Sequence, residues 1–192
     1  MMTNFIQSKI KESIDVKEDL LKDLTILQNI EKVSKKIIQT FRNDGKILLC
    51  GNGGSAADAQ HLAAEFSGRF NFDRYPLDAE ALHVNTSYLT AVANDYSYEE
   101  VYSRLIKAKG KSGDVLIGLS TSGNSENIIR ALREAKSKGL FTVGLTGISG
   151  GKMENEVDIL IRVPSNKTPR IQESHILIGH IICEMVEDAM FI

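Results

Sequence analysis

Apolar residues spaced by three and four run through the start of the chain. Phe5, Ile6, Ile10 and Ile14 form one stripe; Leu20, Leu24, Leu27, Ile30, Val33, Ile37 and Phe41 form a second, with Lys, Glu and Asp on the opposite faces. This spacing predicts helix over residues 3–42, and Asn43-Asp44-Gly45 supplies a stop and a turn. From Lys46 the pattern shortens. KILLCG, GDVLIGLS, LFTVGLTG and VDILIRVP are compact apolar runs bounded by Gly, Ser or Pro, and AEALHV is a weaker one. Between them SAADAQHLAAEFSGRF, TSYLTAVAND, YEEVYSRLIKAKG and NSENIIRALREAKSKG read as helices, and PRIQESHILIGHIICEMVEDAMFI as a long final one. Strands alternating with helices through short loops predict a parallel sheet covered on both faces. The expected fold is a doubly wound α/β sheet of five parallel strands over residues 46–192, preceded by the helical element, with no repeat or linker dividing residues 1–192.

Composition narrows the function classes. At 192 residues, 42% hydrophobic and 25% charged, the chain is expected to be one packed globular domain rather than a disordered one. A net charge of −2 and a pI near 6.1 give no overall electrostatic footprint for nucleic acid or an anionic membrane, so neither is an expected partner. Cys50 and Cys183 lie far apart in apolar runs and read as buried small hydrophobes, which suits a reducing compartment. The N-terminus is charged throughout and unlike a signal peptide, and no apolar run is long enough to span a bilayer; the expected location is cytoplasmic.

Ligands of open α/β sheets bind beyond the carboxyl ends of the strands. Two of the loops there are unusual. Cys50-Gly51-Asn52-Gly53-Gly54-Ser55 lets a ligand approach main-chain N–H groups at the start of a helix. Gly51-x-Gly53-x-x-Ala56 also fits the dinucleotide fingerprint, but no acid closes the next strand, which runs out through His83-Val84-Asn85-Thr86; no nucleotide cofactor is expected. Ser120-Thr121-Ser122-Gly123-Asn124-Ser125 sets four hydroxyls among N–H donors before another helix. Without the lysine of a nucleoside-triphosphate loop, it suits a single phosphate monoester; a bare helix cap would need only one such residue.

Among ionisable residues, His61 and Glu65 share a helix face, a spacing that by itself more often marks a solvated surface pair. Gln172 and His180 lie about 80° apart around the last helix, while His175 reads as a satisfied core residue. Together with Glu65 these side chains could bind a divalent metal such as zinc, although no local spacing requires it. Tyr88, Tyr96, Tyr98 and Tyr102 around Asn94-Asp95 read as packing, and Lys107, Lys109 and Lys111 as a solvated helix end.

CGNGGSAADAQHLAAEFSGRF, AND, GDVLIGLSTSGNSENIIRAL, LTGISGGKM and RIQESHILIGHIICEMVE in one chain resemble the phosphoheptose isomerases of the sugar-isomerase (SIS) domain superfamily. STSGNS alone marks an SIS domain; GNGGS, His61-x-x-x-Glu65 and Arg170-Ile171-Gln172-Glu173 with His180 mark this family. The resemblance implies a flavodoxin-like SIS fold and conversion of sedoheptulose 7-phosphate to D-glycero-D-manno-heptose 7-phosphate, toward nucleotide-activated heptose for lipopolysaccharide core or capsule. It implies a homotetramer with active sites at subunit boundaries, and one zinc ion per subunit held by His61, Glu65, Gln172 and His180. Substrate contacts fall on Asn52, Gly53, Gly54, Ser55, Glu65, Arg69, Asn94, Asp95, Ser120, Thr121, Ser122, Ser125 and Gln172, with Glu65 the base and His180 the acid. Pro169 is a departure, since some members carry an acid there. Two rival readings are an isomerase of another phosphosugar, usually a longer chain, and a non-catalytic SIS interaction module, which lacks the Glu65–His180 pair.

Overall fold

The computed structural model describes residues 2–192. Five parallel strands form one sheet: β1 (Ile47–Gly51), β2 (Ala79–Ala81), β3 (Val115–Leu119), β4 (Phe141–Thr146) and β5 (Ile159–Arg162), in the order β2-β1-β3-β4-β5. The helices are α1 (Met2–Lys22), α2 (Leu24–Arg42), α3 (Gly54–Ser67), α4 (Thr86–Asp95), α5 (Val101–Lys109), α6 (Glu126–Ser137) and α7 (Thr168–Phe191). This is the expected doubly wound α/β architecture.

Alternation along the central strands separates the core into two layers. Ile47, Leu49, Val115, Ile117 and Leu119 point into a cluster with α2, α3 and α7. Leu48, Cys50 and Leu116 point the other way, against α5 and α6. Both faces are apolar because both are covered, so β1 and β3 read as continuous hydrophobic runs. Cys50 and Cys183 are unpaired and buried, as expected of small hydrophobes.

Three local readings need correction. The first forty residues form two helices, because the Asp23 carboxylate accepts the N–H groups of Thr25 and Ile26 and starts α2 afresh. Strand β2 keeps only three of the six residues of AEALHV, ending at Ala81. YEEVYSRLIKAKG opens as a 3-10 turn over Tyr98–Glu100 before α5 begins.

The chain crosses from β2 past β1 to β3, so the strand order reverses between β1 and β3. In register, Gly51 pairs with Leu119. The glycine loop and the serine loop therefore leave the sheet side by side at the switch point, where open α/β sheets bind ligands. Helix α1 differs from the rest: it buries only Leu20 and leaves Phe5, Ile6, Ile10 and Ile14 exposed. Among the described residues, no helix is long and apolar enough to cross a membrane.

Candidate active site

Gly53 holds φ at +55°, with open space where a side chain would project, so the glycine loop turns sharply and leaves its rim clear. Gly54 lies close under α7: a Cβ there would come 2.5 Å from the Gln172 amide nitrogen and push that side chain aside. That contact brings the start of α7 onto the glycine loop. Asn52 exchanges two hydrogen bonds of 2.9 Å with Asn127 on α6 and accepts a third from the Tyr98 hydroxyl at 3.1 Å. Asn127 is buried, and its amide ties the glycine loop to the helix that follows the serine loop.

The serine loop is braced from behind. Gly147 N–H donates to the Thr121 carbonyl and Met153 N–H to that of Gly123, while Asn124 Oδ1 accepts the Lys152 N–H. Ser120 and Ser125 hydroxyls lie 3.0 Å apart, and Ser125, although at the start of α6, makes no side-chain cap bond. Ser122 Oγ accepts the Asn124 N–H, a local turn. Thr121, Ser122 and Asn124 line a cavity of about 250 Å³ together with Ser149, Ser165, Thr168 and Ile171. Hydroxyls, amides and the first turn of α7 surround it, with no charged side chain on its wall. Such a lining donates hydrogen bonds to an anion without a formal countercharge. Pro169 fits here as a first-turn helix residue.

Next to the glycine loop, α3 and α7 bring three side chains to one point. Glu65 Oε1 lies 2.8 Å from His61 Nε2, which lies 3.3 Å from His180 Nε2. One nitrogen thus faces both a carboxylate and a second imidazole, and its single hydrogen-bonding site, proton or lone pair, can serve only one of them. The three ligand atoms all lie within 4.8 Å of one another, an arrangement that could hold a metal ion. Asp58, one turn before His61, has a buried carboxylate oxygen without a partner. Burial raises its pKa, and His61 and His180 partly offset the rise. An acceptor-rich cluster with an orphaned carboxylate oxygen beside it fits a divalent cation of nitrogen and oxygen preference. Phe70 covers the far side, its ring centroid 5.6 Å from that of His180.

The structure thus joins His61, Glu65 and His180; it places Gln172 against Gly54 and ties Asn52 to Asn127 and Tyr98. Ser55 is buried at the start of α3, and Arg69 is exposed in the loop after that helix. Asn94 and Asp95 are exposed at the end of α4 and bond each other at 3.0 Å; Tyr98, three residues on, makes the link to the glycine loop. Asp58, Asn127 and the cavity hydroxyls of Ser149, Ser165 and Thr168 escape the sequence reading, and Tyr98, read as packing, is instead exposed and donates to Asn52. Only Asp58 carried a usable signal, the i, i+3 spacing to His61. His175 is buried against β4, and its pKa falls to about 4 because burial opposes the charged ring.

The SIS domain family model matches residues 12–147, most of the chain. The phosphoheptose isomerase of Aneurinibacillus thermoaerophilus is 57% identical over 190 residues, covering 99% of this chain and 96% of that protein. That of Clostridium acetobutylicum is 53% identical over 99% of this chain and 97% of its own length. The solved phosphoheptose isomerase of Neisseria gonorrhoeae superposes with a TM-score of 0.92 at 42% identity, covering 98% of this chain and all of that one. Identity of this degree over nearly the full length, carried on the same parallel sheet, means that the chain belongs to the phosphoheptose isomerases of the SIS domain family.

Proposed function

We propose that this protein, acting as one unit over residues 1–192, interconverts sedoheptulose 7-phosphate and D-glycero-D-manno-heptose 7-phosphate. The convergence of Glu65 and His180 from two separate helices, together with the Ser120 and Ser125 hydroxyls 3.0 Å apart where the serine loop leaves β3, carries the reading. In it, Ser120, Thr121, Ser122 and Ser125 hold the phosphate. Asn52, Gly53, Gly54, Ser55, Arg69, Asn94, Asp95 and Gln172 contact the rest of the sugar. Fixing the anionic tail sets C1 and C2 against the paired side chains, so that binding energy far from the reacting atoms lowers the barrier.

Ketose-to-aldose conversion moves one proton between carbons and another between oxygens. Glu65 takes a proton from C1 and returns it to C2, through an enediol. His180 gives a proton to the C2 oxygen and accepts one from the C1 oxygen, so the residues end as they began. His61, at 2.8 Å, holds the Glu65 carboxylate in place. The same cluster supports a zinc site on His61, Glu65 and His180; Gln172, which lies against Gly54, is proposed as the fourth ligand, with one ion per subunit. When bound, the ion polarises the sugar carbonyl and steadies charge developing on the enediol oxygens. The proposed assembly is a homotetramer, and the exposed apolar stripe of α1 supports self-association. The free, buried thiols support a cytoplasmic setting. There the product would feed nucleotide-activated heptose for lipopolysaccharide core or capsule.

Purified protein incubated with sedoheptulose 7-phosphate and followed by NMR is expected to give the heptose 7-phosphate. Elemental analysis of the same preparation is expected to find about one zinc per chain, with activity lost on chelation. An unchanged sugar spectrum from zinc-loaded, folded protein would overturn the substrate assignment, and full activity from a metal-free preparation would remove the zinc.

A further inference from the structure

Arg74 and Glu187 form the most deeply buried ion pair in the described chain, their side chains 2% and 1% exposed. Arg74 follows α3 in the loop, and Glu187 lies on α7 seven residues after His180, a spacing that returns to the same helix face. Arg74 Nε donates to Glu187 Oε1 at 2.8 Å. The rest of the guanidinium spreads over main-chain carbonyls. Nη2 donates to the Glu65 carbonyl at 2.7 Å, and Nη1 reaches those of Phe66 at 2.7 Å, Gly68 at 3.0 Å and Tyr75 at 3.2 Å. Phe191 covers its face at 5.5 Å.

These bonds reach both halves of the site. The last carbonyls of a helix lack partners within it, and a cation there also meets the negative end of the helix dipole. Arg74 thus closes the end of α3 at Glu65 itself. Glu187 accepts the N–H groups of Phe70 at 2.9 Å and Asn71 at 2.7 Å. Phe70 is the residue whose ring lies against His180. Burial works to raise the pKa of the Glu187 carboxyl, but these two N–H donors and Arg74 outweigh it and hold the carboxyl below its usual range.

We propose that Arg74 and Glu187 are positioning residues, a buried pair that fixes α3 against α7 and so sets Glu65 and His180 in register for proton transfer. The proposal rests on the assignment of Glu65 and His180 as the reacting pair. A charge pair serving the fold alone needs only two opposite charges. Positioning needs the planar fork of arginine, which lysine lacks.

Arg74→Lys separates the two roles, since it keeps the charge facing Glu187 and gives up the carbonyl contacts. The phosphate cradle lies on other loops. We therefore expect kcat to fall roughly 10- to 100-fold, with KM for sedoheptulose 7-phosphate within about threefold. The comparison variant is Asp114→Asn, which breaks the pair of Lys46 with Asp114 at 3.3 Å, at the amino end of the strands. It is expected to lower the thermal midpoint and leave kcat unchanged. Folded Arg74→Lys with kcat within twofold of the parent would overturn the proposal, as would equal losses of kcat in both variants. If Arg74→Lys does not fold, Glu187→Asp, which keeps the charge and retracts the carboxylate, takes its place with the same expectation. Failure of both to fold would assign the pair to folding alone. Glu65→Gln measured in the same series keeps the two ideas apart. If it is inert while Arg74→Lys is active, only the positioning role falls; if it is active, the Glu65 assignment falls first.

Discussion

At Glu65 one carboxylate oxygen meets an imidazole nitrogen, while the residue's own carbonyl is capped by a guanidinium. Side chain and backbone are thus held separately, which suits a group that must reach a carbon atom along one line. Glu65→Gln keeps the shape and removes the basic oxygen. Loss of a general base typically costs 10²- to 10⁴-fold, and a fall in turnover of about 10³-fold is expected. Substrate binding, read by calorimetry, is expected to stay within a few-fold, because the phosphate contacts are untouched. Wild-type turnover from that variant would take Glu65 out of the chemistry. Asn127 works at the same scale by a different means. Its amide is matched donor to acceptor with that of Asn52, so the loop residue has one orientation before any sugar arrives.

Among the elements, α7 carries the most varied duties. It offers its first turn to the hydroxyl-lined cavity, Gln172 to the glycine loop, His180 to the cluster and Glu187 to the buried pair. It also buries His175, whose Nε2 faces the Thr146 carbonyl of β4 at 3.3 Å. Since the folded pKa of His175 is about 4 against an ordinary 6.5, its protonation favours the unfolded chain. Its contribution to stability is full above about pH 6.5 and declines as the pH falls toward 4, where the folded ring also takes up a proton. The gap corresponds to about 3 kcal/mol. The unfolding free energies of the parent and of His175→Gln, followed between pH 7 and pH 4, are expected to converge by roughly that amount on acidification. A constant separation would mean that His175 takes up its proton as readily in the fold as in the unfolded chain. The sequence showed α7 and its polar positions, because a long apolar helix interrupted by His, Gln and Glu stands out. It did not show that Glu187 is buried, since Glu-Asp near a chain end reads as solvent-facing until Arg74 is known to lie opposite.

The whole molecule follows the same division. The strands and the two switch-point loops were legible, because buried parallel strands read as apolar runs and ligand loops as runs of Gly and Ser, whereas the strand order came only with the structure. The break at Asp23 was written in the sequence as a capping residue, though the apolar stripe ran on across it. Long-range pairings such as Asn52 with Asn127, or Arg74 with Glu187, left no local pattern, for they join residues 75 and 113 positions apart. Helix α1 raises a different issue. It is moored to α7 by Ser13 on Glu173 at 2.7 Å and by Arg170 on the Lys9 carbonyl at 2.6 Å, both beside Gln172, while its greasy flank lies open. If a second copy shields that flank, it would steady the moorings too and link self-association to catalysis. On serial dilution, KM for the sugar phosphate is expected to climb at the concentration where sedimentation shows the assembly coming apart, while circular dichroism still reports intact helices. The protein would then work as a sensor of its own abundance, losing its grip on substrate whenever it is scarce.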